Sequence, residues 1–281
     1  MTGRLGNQMF IFGTSYLLAK QANMTLLISY EGEMIYKTFT DVFENRRIVY
    51  RDTKRICRVF RKHRRRTNKQ VIDPTLLKFF LLQNSSVLFF SYLQSYKNFE
   101  NHENEVRSLY KFNAEVRRVA YTELLDARLS AYPDKKYKDV TYIGVHIRRG
   151  DILNSKYGYN TATQSFIRKA MNYFHKKFRN ALFIVRSNGI GWTAKTIKLL
   201  RRKFSYLRIV IPIKKYDSVT DLAMLASCNH SIITVGTFSW WSGWLTGGQV
   251  IYYKKAALPG SKYEAFLNEG TFYPPKWIAI A

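Results

Sequence analysis

Val140-Thr141-Tyr142-Ile143-Gly144-Val145-His146-Ile147 followed by Arg148-Arg149-Gly150-Asp151 is the stretch from which the fold can be read. An apolar, β-rich run bounded by a polar Gly-containing segment predicts a buried strand over residues 140–147. Beyond it, helical spacing at 164–178, 192–204, 218–227 and 239–245 alternates with strand-like runs at 181–186, 207–213, 230–235 and 250–253. Repeated strand-helix alternation predicts an α/β fold with a parallel sheet, whose ligands bind beyond the carboxyl ends of the strands.

Working back toward the N-terminus, the pattern predicts a loop over Gly3 to Gln8, a helix over Met9 to Ala22 and a strand over Leu26 to Tyr30. That order implies a strand ahead of residue 1. Residues 97–131 read as helical, and Ala131-Tyr132-Pro133-Asp134 with the charged run to Asp139 marks a boundary. Two lobes follow, residues 1–135 and 136–281.

The chain has 281 residues, of which 46% are apolar and 16% aromatic, enough to build a core and to exclude wholesale disorder. Cys57 and Cys228 allow at most one bridge and exclude a disulfide framework. Lys and Arg number 46 against 19 Asp and Glu, a net charge of +27 that points to an anionic ligand or surface. From Arg46 to Lys69 twelve bases face the single acid Asp52, a solvated face or a membrane-surface contact. No spanning segment is present: Leu76 to Leu93 is broken by Lys78, Gln83, Asn84, Ser85 and Ser86.

The C-terminal half keeps only Asp151, Asp217, Asp221, Glu264 and Glu269 as acids. Against that background its strand ends are informative. The first offers Arg148 and Arg149, whose guanidinium forks suit phosphate oxygens, unless Arg149 and Asp151 form a plain surface ion pair. The second ends in Ser187-Asn188-Gly189, small residues that admit a ligand or simply make a turn. The fourth opens a helix with Gly236-Thr237-Phe238-Ser239, an anion site at a helix N-terminus or an ordinary cap before buried tryptophans. Together they predict a nucleoside-diphosphate pocket. GxxxxGK[ST], GxGxxG and HExxH are all absent, which removes the motifs of P-loop hydrolysis, dinucleotide redox chemistry and a catalytic zinc.

Gly3-Arg4-Leu5-Gly6-Asn7-Gln8-Met9-Phe10, His146 through Asp151, Ser187-Asn188, Asp221-Leu222-Ala223-Met224-Leu225 and Gly236 through Trp241 resemble, in order and spacing, the alpha-1,2-fucosyltransferases. These inverting enzymes move L-fucose from GDP-fucose to the 2-hydroxyl of a galactoside. The resemblance implies two Rossmann-like lobes of the GT-B type, with the C-terminal lobe holding GDP-fucose, a galactose-terminated glycan as acceptor, and no metal ion. It implies that Arg148 binds the β-phosphate, with Arg149 beside it, and that Thr237, Phe238 and Ser239 donate to the same diphosphate. Gly6 and Asn7 would close over it, and Asp221 and Ser187 or Asn188 would lie near the nucleoside.

Asp151 is a candidate general base or an orienter of the arginine, and His146, sharing a strand face with Arg148, a candidate brace. Animal enzymes of this kind act at the luminal face of the Golgi membrane behind an anchor; this chain shows no anchor or signal, and reads as an incomplete catalytic domain. Sequons at Asn23, Asn84 and Asn229 fit a secretory route. Competing readings are a non-catalytic relative that binds nucleotide sugar or glycan, and a polyanion-binding protein. The latter ranks last because residues 46–69 lack interleaved aromatics apart from Phe60, so no nucleic acid is expected as a partner.

Overall fold

The structure is a computed structural model that describes residues 3–23, 25–29, 35, 38–39, 48–51, 65–67, 71, 87–89, 92–214 and 216–281. Most of the basic run 46–69, with Cys57, and the sequon at Asn84 lie outside the described residues. By contact the chain divides into two compact units, 1–113 with 271–273 and 114–270 with 274–281.

The first unit opens with α1 (Leu5–Gln21), carries the parallel strand pairs β1 (Leu26–Ser29) with β2 (Ile48–Arg51) and β3 (Arg65–Thr67) with β4 (Val87–Phe89), and adds α2 (Glu103–Leu109). Its helix starts earlier than the loop expected over Gly3 to Gln8. Leu5 and Met9, one turn apart, are both buried, so the apolar stripe extends back and draws Gly6 and Asn7 into the first turn. The core is aromatic: Phe10 stacks on Phe99 at 5.8 Å, and Phe39 meets Tyr110 edge-on at 5.0 Å. The single helical reading of 97–131 breaks at Tyr110–Asn113. There Phe112 bridges Phe39 and the Asn113 N–H donates to Thr38 O, pulling the backbone out of the helix.

The second unit begins with α3 (Ala114–Ala131), not at residue 136 as the charged run implied. Leu124 and Ala127 of this helix pack with Tyr142, Leu182, Ile184 and Cys228 in one buried cluster, so α3 belongs to the core of the second unit. Its strands are β5 (Thr141–Ile147), β6 (Ala181–Ser187), β7 (Arg208–Val210), β8 (His230–Ile233), β9 (Val250–Tyr253) and β10 (Ile278–Ile280), alternating with α4 (Gln164–Lys177), α5 (Ile190–Lys203), α6 (Ser218–Ala226), α7 (Thr237–Thr246) and α8 (Lys262–Asn268). All pair in parallel in the order β7-β6-β5-β8-β9-β10. That is a doubly wound sheet, and its direction reverses between β5 and β8, where such sheets open a ligand crevice.

Hydroxyls and carboxylates set the helix starts. Thr163, Asp217 and Ser261 accept the N–H groups of Phe166, Thr220 and Glu264. β7 is shorter than the run 207–213 because Pro212 cannot extend the ladder, and the carbonyls of Pro212 and Lys214 are taken by the Arg186 guanidinium at 3.1 and 3.3 Å. Among the described residues no helix is long and apolar enough to cross a membrane.

Candidate functional site

The reversal point brings the carboxyl ends of β5 and β8 side by side. The Arg148 N–H donates to Thr234 Oγ1 at 3.0 Å, and the Thr234 hydroxyl donates to the His146 carbonyl at 3.2 Å. Past β8 the chain turns at Gly236, with φ +87°, into α7. A Cβ on Gly236 would fall 2.1 Å from Arg148 Nη1, so the guanidinium lies directly against the backbone at the helix entrance. α7 is anchored by Trp240 and Trp241, both fully buried.

This places a cation at the positive end of a helix dipole, an arrangement that disfavours itself by about 0.3–1 kcal/mol unless an anion joins it. One carboxylate does so in part. Arg148 Nε and Nη2 donate to the two oxygens of Asp151 at 3.1 and 2.8 Å, a bidentate pair with about a fifth to a quarter of each side chain exposed. Burial opposes the charge of Arg148, but the bonds and charge of Asp151 outweigh it and hold its pKa up. The ion pair weighed for Arg149 is therefore made by Arg148. Asp151 Oδ1 also accepts Asn188 Nδ2 at 2.7 Å, which favours the orienting role over the base.

Asn188 acts as a clamp between strand ends. Its Oδ1 accepts the N–H groups of Arg149 and Gly150 at 2.8 and 3.2 Å, and Arg149 itself turns away to stack on Trp192 at 4.2 Å. Ser187 Oγ accepts the Gly189 N–H and the Thr193 hydroxyl at 2.9 and 2.8 Å, closing the turn into α5.

His146 does not brace Arg148. Its Nδ1 lies 2.6 Å from Ser239 Oγ, and because that hydroxyl donates to the Val235 carbonyl at 3.0 Å, Nδ1 carries the proton and donates to Oγ. The imidazole, packed on Phe238 at 4.8 Å, thus ties β5 to the first turn of α7. Burial first, then the charge of Arg148, lowers its pKa from 6.5 to about 3. The folded chain keeps His146 neutral where the unfolded chain binds a proton, so stability is complete above 6.5 and falls as pH drops from 6.5 toward 3. The loss reaches about 2 kcal/mol near pH 5. Urea midpoints measured at about pH 7 and about pH 5 should separate more for the natural chain than for His146→Gln; identical separations would refute a buried neutral imidazole.

Asp221, in the first turn of α6, pairs with Arg186 from the end of β6. Burial raises its pKa against the opposing charge of Arg186. The strand-end residues Ser187 and Asn188 draw the eye in the sequence and Arg186 does not, although an arginine closing the apolar run Ala181 to Val185 in an acid-poor half is itself a signal. Gly6 and Asn7 stand in the first unit, where Asn7 Oδ1 accepts Gln94 Nε2 at 3.1 Å. Thr237, Phe238 and Ser239 form the first turn of α7, with Ser239 buried. Of the sequon asparagines, Asn23 is exposed, and Asn229 spends its Oδ1 on the Tyr142 N–H at 2.8 Å. Among the described residues no cluster of three His, Cys, Asp or Glu could hold a metal ion.

A doubly wound lobe with an arginine at its reversal point offers the crevice in which open parallel sheets of this kind bind ligands. Solved structures agree on the fold. A mutant of Arabidopsis thaliana FUT1 in complex with GDP superposes with a TM-score of 0.55 at 12% identity, covering 90% of this chain and 69% of that one. POFUT1 in complex with GDP gives 0.51 at 14% identity, covering 89% and 96%. The family model for glycosyl transferase family 11 matches residues 1–281, and the chain belongs to that family. Galactoside 2-alpha-L-fucosyltransferase SEC1 of Bos taurus is 26% identical over 282 residues, 99% of this chain and 72% of the relative. Galactoside alpha-(1,2)-fucosyltransferase 2 of Sus scrofa is 26% identical over 282 residues, 99% and 78%.

Proposed function

We propose that this family 11 enzyme transfers L-fucose from GDP-fucose to the 2-hydroxyl of a galactoside. The observation that carries the reading is the Arg148 guanidinium seated on Gly236 at the N-terminus of α7, two positive features converging at the sheet reversal point. A diphosphate laid there would accept from the guanidinium and from the first-turn N–H groups. The names of the relatives supply the sugar and the acceptor class.

In this reading the bond from the fucosyl anomeric carbon to the β-phosphate oxygen breaks as the bond to the galactoside oxygen forms, and the departing diphosphate takes the proton of that hydroxyl. Arg148 neutralises the charge that grows on the departing diphosphate, the task a divalent cation would otherwise perform. Asp151 positions the arginine, and Asn188 and Thr234 hold the loop that carries both. His146 fixes the register of α7 through Ser239.

Calorimetric titration with GDP and with ADP in the presence of a chelator, followed by transfer assays on galactosides, tests the proposal. Selective, chelator-insensitive binding of GDP and fucosyl transfer are the expected results. Absence of GDP binding by the folded chain, or a strict need for a divalent ion, would overturn it.

A further inference from the structure

Arg148 has a neighbour that phosphate chemistry does not use. Residues 155–160, just past the end of β5, run antiparallel to residues 256–258. Tyr159 bridges Ala257, the Asn160 N–H donates to Ala256 O at 2.7 Å, and the Leu258 N–H donates to Gly158 O at 2.8 Å. At the start of α8 the Tyr263 N–H donates to Tyr157 O at 3.0 Å. Gly158 has φ +90°, and a Cβ there would fall 2.0 Å from Ser261 Cβ, so this turn admits only glycine. The tongue is held from several directions.

What it carries is a tyrosine cluster. The Tyr159 ring lies 4.4 Å from Tyr263 and 5.4 Å from Tyr157, centroid to centroid. Tyr263 is buried, Tyr157 is 40% exposed, and Tyr159 is half-buried between them. The Arg148 Cζ sits 5.2 Å from the Tyr159 ring centre, a cation–π contact. A group attached to a phosphate held by Arg148 therefore meets Tyr159 and Tyr157 as an adjoining surface. Partly open aromatic faces beside a charged anchor suit the C–H face of a pyranose, because ligand sites combine apolar aromatic walls with a few fixed polar groups.

We propose that Tyr157 and Tyr159 form the subsite that packs the sugar ring carried on the second phosphate, so that the chain distinguishes a sugar-bearing nucleoside diphosphate from the bare one. This rests on the GDP-fucose reading above and extends it to these residues. The competing role is mechanical: the rings hold Arg148 and never touch the sugar.

Calorimetry on the full chain with GDP and with GDP-fucose separates the two. Tyr157→Ala should weaken GDP-fucose by about tenfold while GDP stays within about twofold. Tyr159→Leu should lower the ratio of GDP-fucose to GDP affinity in the same direction. Tyr159→Phe, which keeps the ring and loses the hydroxyl, should preserve that ratio whatever it does to Arg148. Near-ultraviolet circular dichroism reports whether each variant is folded; were Tyr157→Ala unfolded, Tyr159→Leu and Tyr159→Phe still decide. Equal weakening of both ligands, or no change in either, would overturn the subsite and leave the donor reading standing. A natural chain that binds no GDP would overturn the donor reading and the subsite with it.

Discussion

Arg148→Ala should lower kcat/KM for the donor by about a thousandfold, the loss seen when a preorganised group facing developing charge is removed. The reason lies in how the guanidinium is built in. One edge is taken by both oxygens of Asp151, and its Nη1 lies against Gly236 ahead of the α7 dipole. Truncation leaves the first turn of α7 and an uncompensated Asp151 carboxylate, which would repel a diphosphate. GDP affinity should therefore fall along with turnover, while thermal stability changes little because the pair is partly exposed and worth about 1 kcal/mol or less. Arg148→Lys should fall between, since a lysine keeps the charge but not the fork that engages Asp151 and a phosphate together. Transfer at near-natural rates by a folded Arg148→Ala chain would remove the centre of the proposed mechanism.

Much of the second unit is legible in the sequence because its elements are locally written. The apolar runs Tyr142 to Ile147 and Ala181 to Val185, separated by an amphipathic helix, force parallel strands with buried faces, and the structure has them within a residue or two. Apolar spacing does not predict α8, although Ser261 and Glu264 stand at capping-box spacing: Ser261 Oγ accepts the Glu264 N–H, and the Glu264 carboxylate accepts the N–H of Gly260, one residue ahead of the cap. β10, only Ile278–Ile280, is too short to carry a period and exists because β9 offers it an edge. A charged turn at 132–139 is a local signal and puts the domain boundary too late, whereas the allegiance of α3 is decided by what Leu124 and Ala127 touch.

At the site, residue types were legible and pairings were not. That Arg148 rather than Arg149 takes Asp151, and that His146 turns to Ser239, depends on the irregular path of residues 148–152 and on the depth of α7 in the core. The tyrosine tongue left no trace in sequence order, since Tyr159 and Ala257 meet across nearly a hundred residues.

Gly236→Ala should reproduce most of the Arg148→Ala defect without touching any polar group. Gly236 holds φ +87° with ψ 170°, a region open essentially to glycine, so alanine there strains the backbone by about 1–3 kcal/mol. Its Cβ would also overlap Arg148 Nη1 at 2.1 Å. Relief by sliding α7 is blocked, because Trp240 and Trp241 are fully buried and Trp240 also stacks on Trp244 at 4.9 Å. The exposed edge of Arg148 is the part that can yield. The guanidinium should be pushed off the helix entrance, lowering transfer by about a hundredfold and Tm by roughly 5 °C. The Tm shift reports the backbone and the rate reports the arginine, so the two effects separate in a double variant. If Gly236→Ala acts on transfer by displacing Arg148, adding it to Arg148→Ala costs further stability but almost no further activity, since neighbouring groups that work as one unit are not additive. A double variant whose activity falls by the full product of the single losses would instead show that the Gly236 backbone serves the diphosphate independently of Arg148.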